Sequence, residues 1–169
     1  MEPIQIQFDA PCVPVAQPRQ RHRAVVLKSG RTVVSNYTPR TAPVNAFKAT
    51  VRLAFRKAWS GPPLQGPVCL RLEFRMPRPK SKLWKRKPMP SYPHTTKPDL
   101  DNLTKAVKDA LTGLAWIDDS QICDLRATKR VCSGDESPGV TVRIDHTPAD
   151  TFAGETNPRP TASRRSVSR

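Results

Sequence analysis

A chain of 169 residues has room for one domain with its own core and for tails. Its formal charge of +15 points to a polyanionic partner, nucleic acid before an anionic membrane surface. There is no apolar run of about 18 residues and no basic, apolar leader in MEPIQIQFDA; these absences argue against a transmembrane helix and a signal peptide and make the cytoplasm the expected location.

Ile4, Ile6 and Phe8 alternate across residues 3–9, a strand pattern that Pro11 and Pro14 end. Cys12, Cys69, Cys123 and Cys132 are widely spread, form no CxxC pair and have no histidine at finger spacing. That argues against zinc and for reduced thiols. Residues 17–40 are basic and free of acids, with Arg19, Arg21, Arg23, Lys28, Arg31 and Arg40. Ser29-Gly30 reads as a turn between two β-prone pieces, so a basic hairpin that contacts phosphate is expected.

A helix is expected over 41–59, with Thr41 as its cap and Pro43 in its first turn. Val44, Phe47, Val51, Ala54, Phe55 and Ala58 form its core face, and Lys48, Arg52 and Arg56 a basic stripe on its solvated side. After Gly61-Pro62-Pro63, residues 67–76 alternate: Val68, Leu70, Leu72, Phe74 and Met76 inward, Arg71, Glu73 and Arg75 outward. This is the clearest strand in the chain.

Residues 77–96 read as a loop, because their five prolines oppose regular structure. Lys80, Lys82, Lys85, Arg86 and Lys87 make it a second basic patch, with Trp84 and Tyr92 interleaved for contact with backbone and exposed bases. From residue 146 on, Ser, Thr, Pro and Arg dominate. A domain over 1–145 followed by a disordered basic tail over 146–169 is expected.

The stretch Lys97–Ile122 holds five of the fourteen acidic residues. Leu100, Leu103, Ala106, Val107, Ala110, Leu111 and Leu114 predict an amphipathic helix ending near Gly113. Asp99 or Asp101 could cap it, yet one cap explains only one of the pair. Trp116-Ile117 reads as a strand that Asp118-Asp119 interrupts, and that pair could in part be a turn.

Asp99 and Asp101 converge if the segment after Pro98 is extended or lies at the cap. Lys105 follows one helical turn later, and Asp109 reads as its salt-bridge partner. A site of Asp99, Asp101 and one of Asp118 or Asp119 is hard and oxygen-only, suited to Mg²⁺ or Mn²⁺ acting on a phosphate, with Lys105 holding that phosphate.

The run HTTKPDLDNLTKAVKDALTGLAWIDDSQI closely resembles the signature of the RusA family of Holliday junction resolvases, common in phage and prophage. The resemblance is specific over residues 94–130 and looser over the first strand, PRQRHR and Tyr37-Thr38-Pro39.

The resemblance implies an α/β (α+β) fold. In it, a mixed sheet packs with two main helices in the order β-α-β-α-β-β. It also implies a homodimer in which each subunit cuts one strand of a four-way DNA junction, with Mg²⁺ required and no organic cofactor. The family's metal-binding acids fall on Asp99, Asp101 and Asp119, with Asp118 beside them, and its catalytic lysine on Lys105. DNA contacts are expected from Arg19, Arg21, Arg23, Lys28, Arg31, Lys80, Lys82, Lys85, Arg86, Lys87 and Lys97. Two alternatives remain open at this level: a non-catalytic nucleic-acid-binding module, or a nuclease acting on flaps or forks.

Overall fold

The computed structural model describes residues 3–18, 21–26, 29–37, 42–84 and 87–146. Its strands are β1 (Ile4–Ala10), β2 (Arg21–Val26), β3 (Thr32–Tyr37), β4 (Val68–Met76), β5 (Tyr92–Pro93), β6 (Ile122–Val131) and β7 (Gly139–His146). Its helices are α1 (Pro43–Ala58) and α2 (Leu100–Leu111). Five strands form one mixed sheet in the order β1-β7-β4-β6-β5, and β2 and β3 form a separate hairpin. The expected mixed α+β fold with two main helices is therefore observed, the expected hairpin forms from β2 and β3, and the short β5 is added.

Alternation in the strands gives the sheet two different faces. Ile6, Phe8, Val68, Leu70, Leu72, Phe74, Val140, Val142 and Ile144 are buried on the face the helices cover. From α1, Val44, Phe47, Val51 and Phe55 enter the same core; α2 adds Leu103, Ala106, Val107, Ala110 and Leu111. Each large side chain so buried contributes about 1.5–3 kcal/mol of hydrophobic stabilisation. The opposite face carries ion pairs, among them Arg75 with Asp9, Arg143 with Asp145, and Arg130 with Glu73 and Glu136. The Arg130 guanidinium beside Glu136 pulls that carboxyl down to about 2.

β4 and β6 run parallel, with Leu70 opposite Leu125 and Phe74 opposite Lys129. Parallel neighbours need a crossover rather than a hairpin. That crossover carries the 77–91 loop, β5, α2 and the turn after it.

Several expectations change. Ala42 occupies the N-cap of α1, with Pro43 starting the helix, and Thr41 lies outside the described residues. Ala58, expected in the core, is exposed at the frayed end of α1. Lys48 and Arg52 are not free surface: Lys48 pairs with Asp109 at 2.9 Å, and Arg52 Nε donates to Ala110 O at 3.1 Å. Both cations thus tie α1 to α2, and Asp109 bonds across the helix pair instead of back to Lys105.

The 77–96 segment does contain regular structure, a 3-10 turn at Lys80–Lys82 and β5 at the sheet edge. Pro93 is tolerated there because an edge strand can leave one side unpaired. Trp116-Ile117 forms no strand; Trp116 makes only isolated bridges, to Leu64 and Thr112. The tail from residue 147 and Arg40 lie outside the described residues. Among the described residues, no helix is long and apolar enough to cross a membrane.

Gly113, just past α2, has φ +77, and an added Cβ would meet no atom within 4 Å. Gly113→Ala is therefore a purely backbone penalty. It should cost about 1–2 kcal/mol in urea unfolding, with an unchanged denaturant slope.

Candidate active site

Helix α2 forms because apolar residues recur every three or four positions after a proline that cannot sit inside it. Asp99 is its N-cap, with an extended backbone at φ −73° and ψ 145°, and Asp99 O accepts the first helical bond from Leu103 N–H at 3.2 Å. The Asp99 carboxylate makes no cap hydrogen bond. The capping explanation for this aspartate therefore fails, and the side chain is left exposed. Asp101 lies in the first turn, where the helix dipole favours negative charge, and Lys105 follows one turn on. Neither Asp99, Asp101 nor Lys105 has a hydrogen-bond or ion-pair partner among the described residues.

The far end of α2 is built quite differently. Thr112 is the C-cap, Gly113 N–H donates to Trp116 O at 2.7 Å, and the chain doubles back. Asp118 then caps a 3-10 turn, accepting from Ser120 N–H at 2.8 Å. That hydrogen bonding holds its carboxyl below the usual range.

Gln121 closes the turn. Its Oε1 accepts from the N–H groups of Ile117 and Asp118, and its Nε2 donates to Leu64 O and Gly66 O. Asp118 is thereby committed to shaping the turn, which aims Asp119 at the cleft. The signal was present in the sequence as an Asp-x-x-Gln capping box.

Three donors hold Asp119. Trp116 Nε1 donates to its Oδ1 at 3.0 Å, and Thr112 Oγ1 lies 2.7 Å from the same atom. Thr112 Oγ1 is also 2.8 Å from Lys108 O, so its single proton serves one acceptor at a time. Lys108 Nζ stands 3.2 Å from Asp119 Oδ2. Burial pushes the Asp119 carboxyl up, but these donors outweigh it and the net direction is down.

Asp101, Lys105, Lys108, Asp109 and Asp119 line one open cleft of about 680 Å³, with Leu100, Leu125 and Ala127 as apolar wall. The Asp99 side chain is not part of that lining. Asp101 lies in the first turn of α2, whereas Asp119 bonds to its C-cap, Thr112. Thr112, which touches Asp119, is eleven residues beyond Asp101, on the order of 15 Å along a helix that rises 1.5 Å per residue. Among the described residues, no three His, Cys, Asp or Glu side chains are grouped as a metal cluster.

The donor chemistry fits a hard divalent cation, and the Lys108 ammonium on Asp119 stands where a cation would be attracted. Lys108, Thr112 and Trp116 escape a sequence reading, because their role depends on a chain reversal that brings Asp119 back to the helix end.

The expected DNA-contact residues fall into three groups. Arg31, Lys80, Lys82, Lys87 and Lys97 are exposed. Arg21 and Arg23 lie on β2, and upstream of it Gln17 N–H donates to Asn102 O at 2.9 Å, so the basic segment leaves the core beside the first turn of α2. Arg19, Lys28, Lys85 and Arg86 lie outside the described residues.

The Pro-rich loop is anchored by Arg78, whose Nη2 donates to Met89 O, Pro90 O and Cys132 O. Lys82 and Arg78 both lie over the Tyr92 ring, at 4.8 and 5.3 Å. Leu83 and Trp84 are about half exposed beside them.

Asp119's lowered pKa gives stability that is present above the ordinary carboxylate range and lost as pH falls through the lowered value. Thr112→Val removes one donor. It should move the Asp119 titration upward and start acid unfolding at a higher pH than in the wild type. A carboxyl-resolved NMR titration measures the shift; an unmoved Asp119 would leave Trp116 and Lys108 as its sole determinants.

A protein-family model, endodeoxyribonuclease RusA, matches residues 11–145. The chain is also 33% identical over 144 residues to the uncharacterized protein YqaN of Bacillus subtilis (strain 168), covering 82% of this chain and 94% of that protein. The family match spans both helices, every carboxylate of the cleft and all of the sheet but β1 and the last residue of β7, and the chain belongs to the RusA endodeoxyribonuclease family.

Proposed function

We propose that this protein is a divalent-metal-dependent endonuclease that resolves four-way DNA junctions during recombination and repair in the cytoplasm. The carrying observation is one cleft holding Asp101, Lys105 and Asp119 in a protein of charge +15, with Asp99 bare at the helix start. Membership of the RusA family supplies the reaction class, an endodeoxyribonuclease.

The exposed cations Arg31, Lys80, Lys82, Lys87 and Lys97 draw the DNA backbone to an acidic cleft that would otherwise repel it. Trp84, half exposed among them on an anchored loop, offers a stacking surface for bases unpaired at a branch point. Lys105, with no partner among the described residues, takes the scissile phosphate and stabilises the charge that develops on it. Asp99, Asp101 and Asp119 are the ligands of Mg²⁺, or of Mn²⁺ in its place. Such an ion, when bound, lowers the pKa of an attacking water and neutralises the phosphate.

The separation of Asp101 from Asp119 bears on assembly. Two strands cut at one junction call for two sites, hence a homodimer. In a homodimer, the Asp99–Asp101 end of one chain can complete the Asp119 end of its partner.

Synthetic junction, flap and duplex DNA, each with and without Mg²⁺, test the reading. Paired nicks in the junction alone are expected. Cleavage confined to flaps would replace the substrate, and no cleavage at all would leave a binding module. Asp101→Asn and Asp119→Asn should each lower the rate at least about 100-fold while junction binding persists. Mixing the two variants should restore nicking, because a heterodimer keeps one intact shared site. A dead mixture that still forms heterodimers would return the metal to a single chain.

A further inference from the structure

Lys129 is absent from every role above. It lies on β6, two and four residues beyond Ala127 and Leu125 of the cleft wall and on the same face of the sheet. Its backbone carbonyl accepts from His94 N–H at 3.1 Å, the last backbone bond of the short β5–β6 ladder. Beyond that point the 95–98 segment has no ladder bond to β6 among the described residues.

The Lys129 side chain takes over where the ladder stops. Its Nζ donates to Thr96 O at 2.8 Å and to Pro98 O at 2.6 Å. Both bonds are charge-assisted, the stronger kind, and they use two of the three ammonium donors. The Pro98 carbonyl belongs to the same rigid peptide plane as the Asp99 N–H. Among the described residues the Asp99 side chain makes no bond, so its place follows from its backbone. Burial and the Lys129 charge together lower the pKa of neighbouring His94, consistent with a close, partly enclosed ammonium.

We propose that Lys129 is a positioning residue: by gripping the carbonyls of Thr96 and Pro98, its ammonium sets the place of the Asp99 carboxylate at the start of α2. This inference rests on reading Asp99 as a metal ligand. It adds a requirement that neither the aspartates nor Lys105 imply, a cation on the strand opposite that never touches the substrate. A methionine there keeps the length and apolar stem of the side chain but cannot donate. An arginine keeps charge and donors.

The test uses the full-length protein. Mn²⁺ affinity is measured by electron paramagnetic resonance, and amide hydrogen exchange is followed over 94–103 without metal. Lys129→Met should weaken Mn²⁺ binding about 10- to 100-fold, the usual consequence of losing an outer-shell partner. It should also speed exchange in 96–103 while metal-free junction binding stays as in the wild type.

Lys129→Arg should recover most of the affinity, and it carries the comparison if the methionine variant does not fold. Arg126→Met, on the same strand but the opposite face, serves as control and should change neither reading. Wild-type Mn²⁺ affinity and unchanged exchange in Lys129→Met would overturn the proposal while leaving the metal site intact. Failure of the wild type itself to bind Mn²⁺ would instead overturn the metal reading, and Lys129's role at it.

Discussion

The parallel pairing of β4 with β6 is the constraint on which the site depends. A chain that ends β4 at Met76 and must begin β6 beside Val68 has to travel the whole length of the sheet before it can pair. It does so outward through the Pro-rich loop and β5, then back along α2. The start of α2 is thereby set near the last residues of β6 and its end near the first. Asp99 and Asp101 inherit one position and Asp119 the other. Lengthening or moving any part of the crossover would change the distance between the two groups of carboxylates, so the separation is a property of topology rather than of side-chain choice.

Charge is arranged to match that geometry. On the open sheet face, Asp9, Glu73, Glu136 and Asp145 are each engaged by an arginine. Exposed pairs of this kind contribute little to stability individually. Their consequence here is that few acids remain unpaired. Asp109 is also engaged, by Lys48, and Asp118 is occupied by its own turn. Against this background Asp99 and Asp101, without a partner among the described residues, stand out, since a strongly cationic protein offers many potential partners. Leaving them unpaired keeps two carboxylates available at the place where the basic segment leaves the core.

Local pattern made much of this readable in advance. The alternation of β4 and the three-and-four spacing of α2 are set by residues close in sequence, and both elements fall where those patterns put them. Pairing across the fold was not readable. The stripe of Lys48 and Arg52 has the spacing of a solvated face, and only the packing of α1 against α2 gives it Asp109 and Ala110 O as partners. Trp116-Ile117 has the composition of a strand, yet Trp116 is drawn into the core and its indole N–H to Asp119. The choice between Asp118 and Asp119 rests on Gln121, whose two amide atoms bind the turn to the loop at Leu64–Gly66. Nothing within a few residues of the pair specifies that loop.

The two ends of α2 also solve different problems. Asp119 is half-buried, and a carboxylate so placed stays charged only if donors replace the water it has lost. Trp116, Thr112 and Lys108 supply them, and Trp116 does so from a fully buried ring that cannot shift without disturbing the core. Asp119 is therefore rigid. Asp99 is solvated and has no such need, so its freedom has to be limited through the backbone, and the peptide held by Lys129 is the part of it that can be gripped. One aspartate is thus held by its side chain and the other through its main chain, because one is half-buried and the other solvated.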